Sequence, residues 1–327
     1  MGLGRRTRLW LTPLRLPESQ SVGRWGPARA VLGAPSRTVW APGPARLVGS
    51  ASLTGLSSVF LLHIEAKSPS GDSDGPVPLP AWTKRGGRPR PAHLAVALAK
   101  EGYKVGVLDA DIYGPSQSKM FGVEDYLPDA KQVDGRDYIV PAEVGGIKLI
   151  SIAMFIRKTD ALLWRGTMAN SALRQLIHQT EWGNLDFLLI DLPPGTGDIH
   201  LSIINELRIG GAIIVSTPQQ VAVADVVRGV EMFRNPNVNI PVLGVVENLS
   251  WFTPAELPNN RYYIFGKGGA ARYAEEVGVD LLGEVPIIQD IMQGSDDGEP
   301  AVNTHPQVAS IYQQIAKKVV DKMEKMC

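Results

Sequence analysis

The chain has 327 residues, enough for one large α/β domain or two of ordinary size. Its 33 basic and 33 acidic residues cancel, but residues 1–90 hold 13 Lys and Arg against 4 Asp and Glu, leaving 20 against 29 for the remainder. An acidic body without a basic face argues against a nucleic-acid partner, a single cysteine excludes an intrachain disulfide, and no apolar run reaches the ~18 residues of a membrane span.

Residues 1–58 are rich in Arg, Pro, Gly, Ser and Trp and show no sustained period of 2 or 3.6. The first seventeen residues carry four arginines and no acid, in the manner of a mitochondrial presequence, although Pro13 and Pro17 interrupt a long amphipathic helix. The rival reading is a disordered or unrelated head. Val59–Ile64 has the composition of a strand, and residues 67–91 turn Pro-, Gly-, Ser- and Arg-rich and read as linker. The expected organisation is a head and linker over 1–91 and one domain over 92–327.

At about residue 92 the composition changes abruptly. His93-Leu-Ala-Val-Ala-Leu-Ala-Lys100 is strongly helix-forming and Gly102 is placed to stop it. Lys104-Val-Gly-Val-Leu-Asp109 reads as a buried strand ending in a carboxylate. Further apolar runs lie at 147–152, 187–190, 212–215, 242–246 and 281–285, with helical stretches at roughly 167–180, 199–207, 219–234, 269–277 and 306–325. This alternation predicts an α/β fold, a doubly wound and mostly parallel sheet covered on both faces. Ligands of such sheets bind at the carboxyl ends of the strands, where Asp109, Asp191, Ser216 and Glu247 are all expected.

The richest stretch is Phe187-Leu-Leu-Ile-Asp191-Leu-Pro-Pro-Gly195-Thr196-Gly197-Asp198. A carboxylate at the tip of a buried strand, followed by a glycine-rich turn, is how nucleotide-binding α/β proteins hold magnesium beside phosphate. An ordinary strand-to-helix turn has the same local signature. In Asp109-Ala-Asp111-Ile-Tyr-Gly114-Pro115-Ser116 two carboxylates stand at i and i+2, so that one can support a metal shell while the other orients a water. Ser116 is placed to cap a helix. Ser216-Thr-Pro-Gln219 and Glu247-Asn248-Leu-Ser250 each end a strand with groups able to bond a base edge. Arg165, in Trp164-Arg165-Gly166, can pair with phosphate or with a surface carboxylate. The five scattered histidines read as structural or solvated.

Taken in order, Asp-x-Asp-x-x-Gly-Pro-Ser (109–116), Trp-Arg-Gly (164–166), Asp-x-Pro-Pro-Gly-Thr-Gly-Asp (191–198), Ser-Thr-Pro-Gln (216–219), Glu-Asn-x-Ser (247–250) and Ile-Phe-Gly (264–266) closely resemble the Mrp/ApbC family of iron–sulfur cluster carriers. These are P-loop ATPases of the deviant Walker A group, relatives of MinD and ParA. The resemblance runs from about residue 92 to 327 and implies a P-loop NTPase-like fold. It implies Asp191 as the magnesium-associated acid and Asp111 as the switch residue near the attacking water. Asp109, Gly195, Thr196, Gly197 and Asn248 fall in the nucleotide site, Asn248 against adenine. It further implies ATP and Mg2+ as cofactors, a homodimer, and delivery of a [4Fe–4S] cluster to apo iron–sulfur client proteins. The setting is a bacterial cytoplasm or, alternatively, a mitochondrial matrix.

The chain departs from the pattern twice. The family opens with a strand, Gly-Lys-Gly-Gly-x-Gly-Lys-Ser-Thr, and then the helix that begins here near His93. Aligned without gaps, the two lysine positions fall on Trp82 and Gly87 and the Ser-Thr pair on Arg88-Pro89. Pro89 and Pro91 also remove amides from any phosphate-cradling nest. Loss of that loop weakens nucleotide binding and almost abolishes hydrolysis. Second, residues 251–263 contain no Cys-x-x-Cys, so the cluster ligands are unassigned; Tyr262-Tyr263 there reads as packing or a dimer contact. Two rivals stand beside the carrier: a non-catalytic scaffold or regulator keeping the family's dimer surface, and a MinD-like positioning ATPase. Against the latter, 308–326 is expected to lack the broad apolar face of a membrane-surface helix.

Overall fold

The computed structural model describes residues 58–63, 91–112, 114–133, 135–155, 167–193 and 198–326. Trp164-Arg165-Gly166, Gly195-Thr196-Gly197 and Cys327 lie outside the described residues, as do 64–90. In chain order the elements are β1 (Ser58–His63), α1 (Pro91–Lys100), β2 (Val105–Asp109), α2 (Gln117–Met120), β3 (Ala130–Val133), β4 (Arg136–Ile139), β5 (Ala142–Val144) and β6 (Ile147–Ser151). There follow α3 (Thr167–His178), β7 (Phe187–Asp191), α4 (Asp198–Glu206), β8 (Ile209–Ser216), α5 (Gln220–Arg234), β9 (Val242–Phe252), α6 (Gly269–Glu276), β10 (Leu281–Ile287), α7 (Gln289–Asp296) and α8 (Pro306–Glu324).

One eight-stranded sheet runs in the order β10-β9-β8-β1-β7-β2-β6-β5, and β3 pairs with β4 in a separate hairpin. The β10–β9, β9–β8, β7–β2 and β2–β6 pairs are parallel, so the mostly parallel sheet read from the sequence is what the chain forms. The strands owe this to composition. Every residue of β2 and β7 is buried, which continuous Val/Leu/Ile runs tolerate and an alternating pattern does not.

Helices cover the sheet as their periodicity dictates. α1 buries nearly its whole length beside β2, and Gly102, at φ 93°, ends it in the left-handed conformation a glycine adopts most easily. α8 turns Val308, Tyr312, Ile315, Val319 and Met323 inward, an apolar stripe at i, i+4, i+7, i+11 and i+15. This stripe corrects the expectation of a helix without an apolar face. It is spent on the domain, close enough that a Cβ added at Gly283 of β10 would meet Ile315 at 2.7 Å. Among the described residues no helix is long and apolar enough to cross a membrane. His93 is buried and stacks on Tyr312 with ring centroids 5.0 Å apart, and His178 bonds Glu206 at 2.8 Å, both structural roles.

The centre of the sheet departs from expectation. β1 is a strand, as its composition indicates, but it pairs antiparallel with both neighbours: Phe60 lies opposite Asp191 of β7 and Ile213 of β8. Ser58 therefore stands at the carboxyl edge of the parallel strands, and His63 at the far edge, beside Leu188 and Ile209. A strand feeding a short phosphate loop into α1 would have to run the other way. With residues 64–90 between β1 and α1, either direction is reachable, because a strand of this length is only ~20 Å tall and each extended residue spans roughly 3.3 Å.

Candidate functional site

The sheet register brings the predicted acids together. Asp109 and Asp191 end the adjacent parallel strands β2 and β7 and are direct partners in the ladder, while Ser151 of β6 flanks Asp109 on its other side. Asp109, Asp111 and Asp191 are all buried, at 0, 4 and 1% exposure. On the far side of β1, Ser216 ends β8 opposite Glu247 of β9. The four strand positions expected at one rim do share one.

Asp109 organises the turn that follows it. Its Oδ2 accepts from the Ser116 and Gln117 amides at 2.9 and 3.0 Å and from the Ser151 hydroxyl at 3.0 Å, while the Asp111 amide reaches Oδ1 at 3.3 Å. The Gly114 amide donates to Asp111 Oδ1 at 3.1 Å, which draws the second carboxylate back over its own loop. Ser116 occupies the position preceding α2, but its hydroxyl makes no capping bond; Asp109 captures the first amides of that turn instead. Gln117 is the residue the motif reading missed. Fully buried, it donates its side-chain amide to Asp191 Oδ2 at 2.6 Å while its backbone holds Asp109, so it bridges both strand-end acids. Ser151 was discoverable from sequence, since it too ends an apolar strand run; no sequence signal marks Gln117.

Burial is the main reason the Asp109 carboxyl is pushed up from the usual 3.8 to about 6, with the Asp111 charge adding to it and the Gln117, Ser151 and Ser116 donors pulling down.

The second cluster corrects two expectations. β9 does not end at Glu247 but continues to Phe252, with Leu249 at φ 56° marking a local kink. Glu247 turns to the start of α6, where Oε2 accepts from the Ala270 amide at 2.8 Å and the Ala271 amide at 3.3 Å. One carboxylate oxygen thus meets the positive end of the helix, while Oε1 is buried without a bonding partner. α6 is held close by Gly269, where any Cβ would collide with the Pro218 carbonyl. Burial raises the Glu247 pKa and the two α6 amides partly offset this. Ser250 and Ser216 spend their hydroxyls on nearby carbonyls, of Glu247 and Thr217 respectively. Asn248 Oδ1 is buried and finds no bonding partner, a vacancy suited to a donor such as an amino group.

A family model described as the ParA-type NUBPL iron-transfer P-loop NTPase matches residues 90–320. The chain belongs to that family. It is 46% identical over 237 residues to the iron-sulfur cluster carrier protein of Aquifex aeolicus, an alignment covering 71% of this chain and 63% of that protein. It is 43% identical over 237 residues to an Arabidopsis thaliana protein named iron-sulfur protein required for NADH dehydrogenase, mitochondrial, covering 72% of this chain and 74% of that one. Among solved structures, a nucleotide-binding protein from Archaeoglobus fulgidus in complex with ADP superposes with a TM-score of 0.53 and 37% identity, over 63% of this chain and 78% of that chain. The P-loop NTPase family is one of nucleotide- and magnesium-binding proteins.

The residues present fit that nucleotide unevenly. On β9, Asn248 offers a buried acceptor without a partner. At the phosphate end the sequence has neither lysine nor the Ser-Thr pair where the family pattern places them, α1 opens on a buried proline that has no amide to offer, and the Gln117 side-chain amide occupies one acceptor site of Asp191 Oδ2. Among the described residues no group of three or more His, Cys, Asp or Glu side chains can hold a metal ion.

The raised Asp109 pKa has a thermodynamic consequence. Because the folded carboxyl holds its proton to about pH 6 and the unfolded one releases it near 3.8, the folded chain binds more protons between those values. Stability from this group is therefore full below about pH 4 and lost as pH rises towards 6, on the order of 3 kcal/mol in total. Urea titrations in EDTA from pH 4 to 7 should show this fall in the native chain and a flatter profile in Asp109→Asn; parallel profiles would contradict the assignment.

Proposed function

We propose that the chain acts as an iron–sulfur cluster carrier of its family, delivering cluster to apo-protein clients as a homodimer, without turning over ATP. The family match over residues 90–320 carries the reading, and the Asp109–Asp191 ladder pair supports it, since the rim of the family fold persists where its motifs are found. Relatives named as cluster carriers and a mitochondrial homologue point to the same client chemistry. A carrier exchanges its cargo by ligand substitution, which needs no phosphoryl transfer; in this chain the parts that would time exchange by hydrolysis are the ones that do not fit. The half-exposed aromatics Tyr262 and Tyr263, beside the exposed Ile264, form an apolar surface suited to the dimer contact.

Cargo chemistry sets a further condition. A [4Fe–4S] cluster usually takes four thiolates, and two copies of this chain bring two, both Cys327. The remaining ligands must come from an external thiol. Anaerobic reconstitution with iron and sulfide should accordingly yield the visible charge-transfer absorbance of a cluster only when a small thiol is added, and none in Cys327→Ser. No cluster in the native chain under any thiol contradicts the carrier reading, and a cluster in Cys327→Ser contradicts the ligand assignment.

Hydrolysis is tested separately. A phosphate-release assay should show no turnover above the protein-free blank, with or without Mg2+. Clear turnover that disappears in Asp191→Ala would overturn the claim that the phosphate end is inactive.

A further inference from the structure

β1 is the one strand of the sheet that lies outside the family match, which begins at residue 90. It is nevertheless central. β7 pairs on its other side with β2, and β8 on its other side with β9, so β1 alone joins the half-sheet β10-β9-β8 to the half-sheet β7-β2-β6-β5. Without it, two strand edges would face each other across a buried slot one strand wide, each carrying unpaired amides and carbonyls. Leu61 and Leu62, which point to opposite faces of the sheet, are both fully buried in that slot. The occupant runs against both neighbours, and its pairing with β8 slips at Leu62/His63. Main-chain bonding and aliphatic side chains, rather than chain connectivity, therefore decide what fits.

We propose that the slot between β7 and β8 is an acceptor site for one extended, uncharged segment of about six residues with adjacent aliphatic side chains. Ser58–His63 fills it from the same chain as an exchangeable strand. The tether through residues 64–90 gives the internal segment an effective concentration on the order of millimolar, so a free peptide competes poorly with the intact chain. Weakening the internal strand exposes the site. This proposal is independent of nucleotide and cluster.

The test uses the full-length Leu61→Asp/Leu62→Asp chain, a synthetic peptide carrying Ser58–His63 with terminal lysines for solubility, and the same peptide bearing both Asp substitutions. Hydrogen exchange is read at Phe187–Asp191 and Ala212–Ser216. Protection at both strands should be lost in the double variant, return about tenfold or more with the native peptide, and stay lost with the Asp-bearing one. Protection retained in the double variant would show that β1 does not hold the slot. Protection lost and not restored by the native peptide, whether locally or through global unfolding, would show that the slot is no acceptor. A native dimer that grows with concentration, vanishes in the double variant and persists in Tyr262→Ala/Tyr263→Ala would place the strand of a second copy in the same slot, and supports the proposal.

Discussion

A sheet covered by helices on both faces has no water with which to satisfy a bare strand edge, so every interior edge must find a partner strand. In this chain that constraint bears most heavily on the position between β7 and β8. Here Ser58–His63, from the basic N-terminal region, fills it and runs antiparallel to both neighbours. The reversal satisfies the hydrogen-bonding edges of both neighbours. β7 in turn pairs directly with β2, which sets Asp191 beside Asp109.

The cost falls on the rim. A reversed strand leaves its carboxyl end at the far edge, with residues 64–90 rather than a short turn between it and α1. Asp109 and Asp111 turn to amides of the loop that follows them. Asp109 is saturated by amides and the Ser151 hydroxyl, and Asp191 is tied to Gln117. Asn248 keeps an unmet acceptor on β9, which lies on the other side of β1 and carries Glu247 against the start of α6.

Much of this was legible in the sequence where periodicity is strong. The buried strands at Val105–Asp109, Ile147–Ser151 and Phe187–Asp191 and the long helices at Gln220–Arg234 and Pro306–Glu324 stand close to where their apolar spacing puts them. The common rim followed from strand polarity alone. Four short elements escaped: the β3–β4 hairpin, whose residues are mostly exposed, and β5, α2 and α7, each too short for a period to register. Strand direction escaped because a run such as Val59-Phe-Leu-Leu reads the same both ways when both faces are buried. Gln117 escaped because its role depends on two acids 8 and 74 residues away along the chain, a relation only the fold creates. The bonds from Glu247 to the amides of α6 escaped because nothing in its sequence neighbourhood announces them.

The direction of β1 can be read by cross-linking. In a Cys327→Ser background, Ser58→Cys with Val215→Cys places two thiols on directly opposed residues of the antiparallel ladder, within the 4.4–6.8 Å Cα separation a disulfide spans. Ser58→Cys with Ile209→Cys tests the opposite polarity. Mild oxidation of folded protein should join the first pair and leave the second as free thiols by mass spectrometry; a disulfide in the second pair and none in the first would contradict the reversed strand and reopen the rim to a phosphate loop.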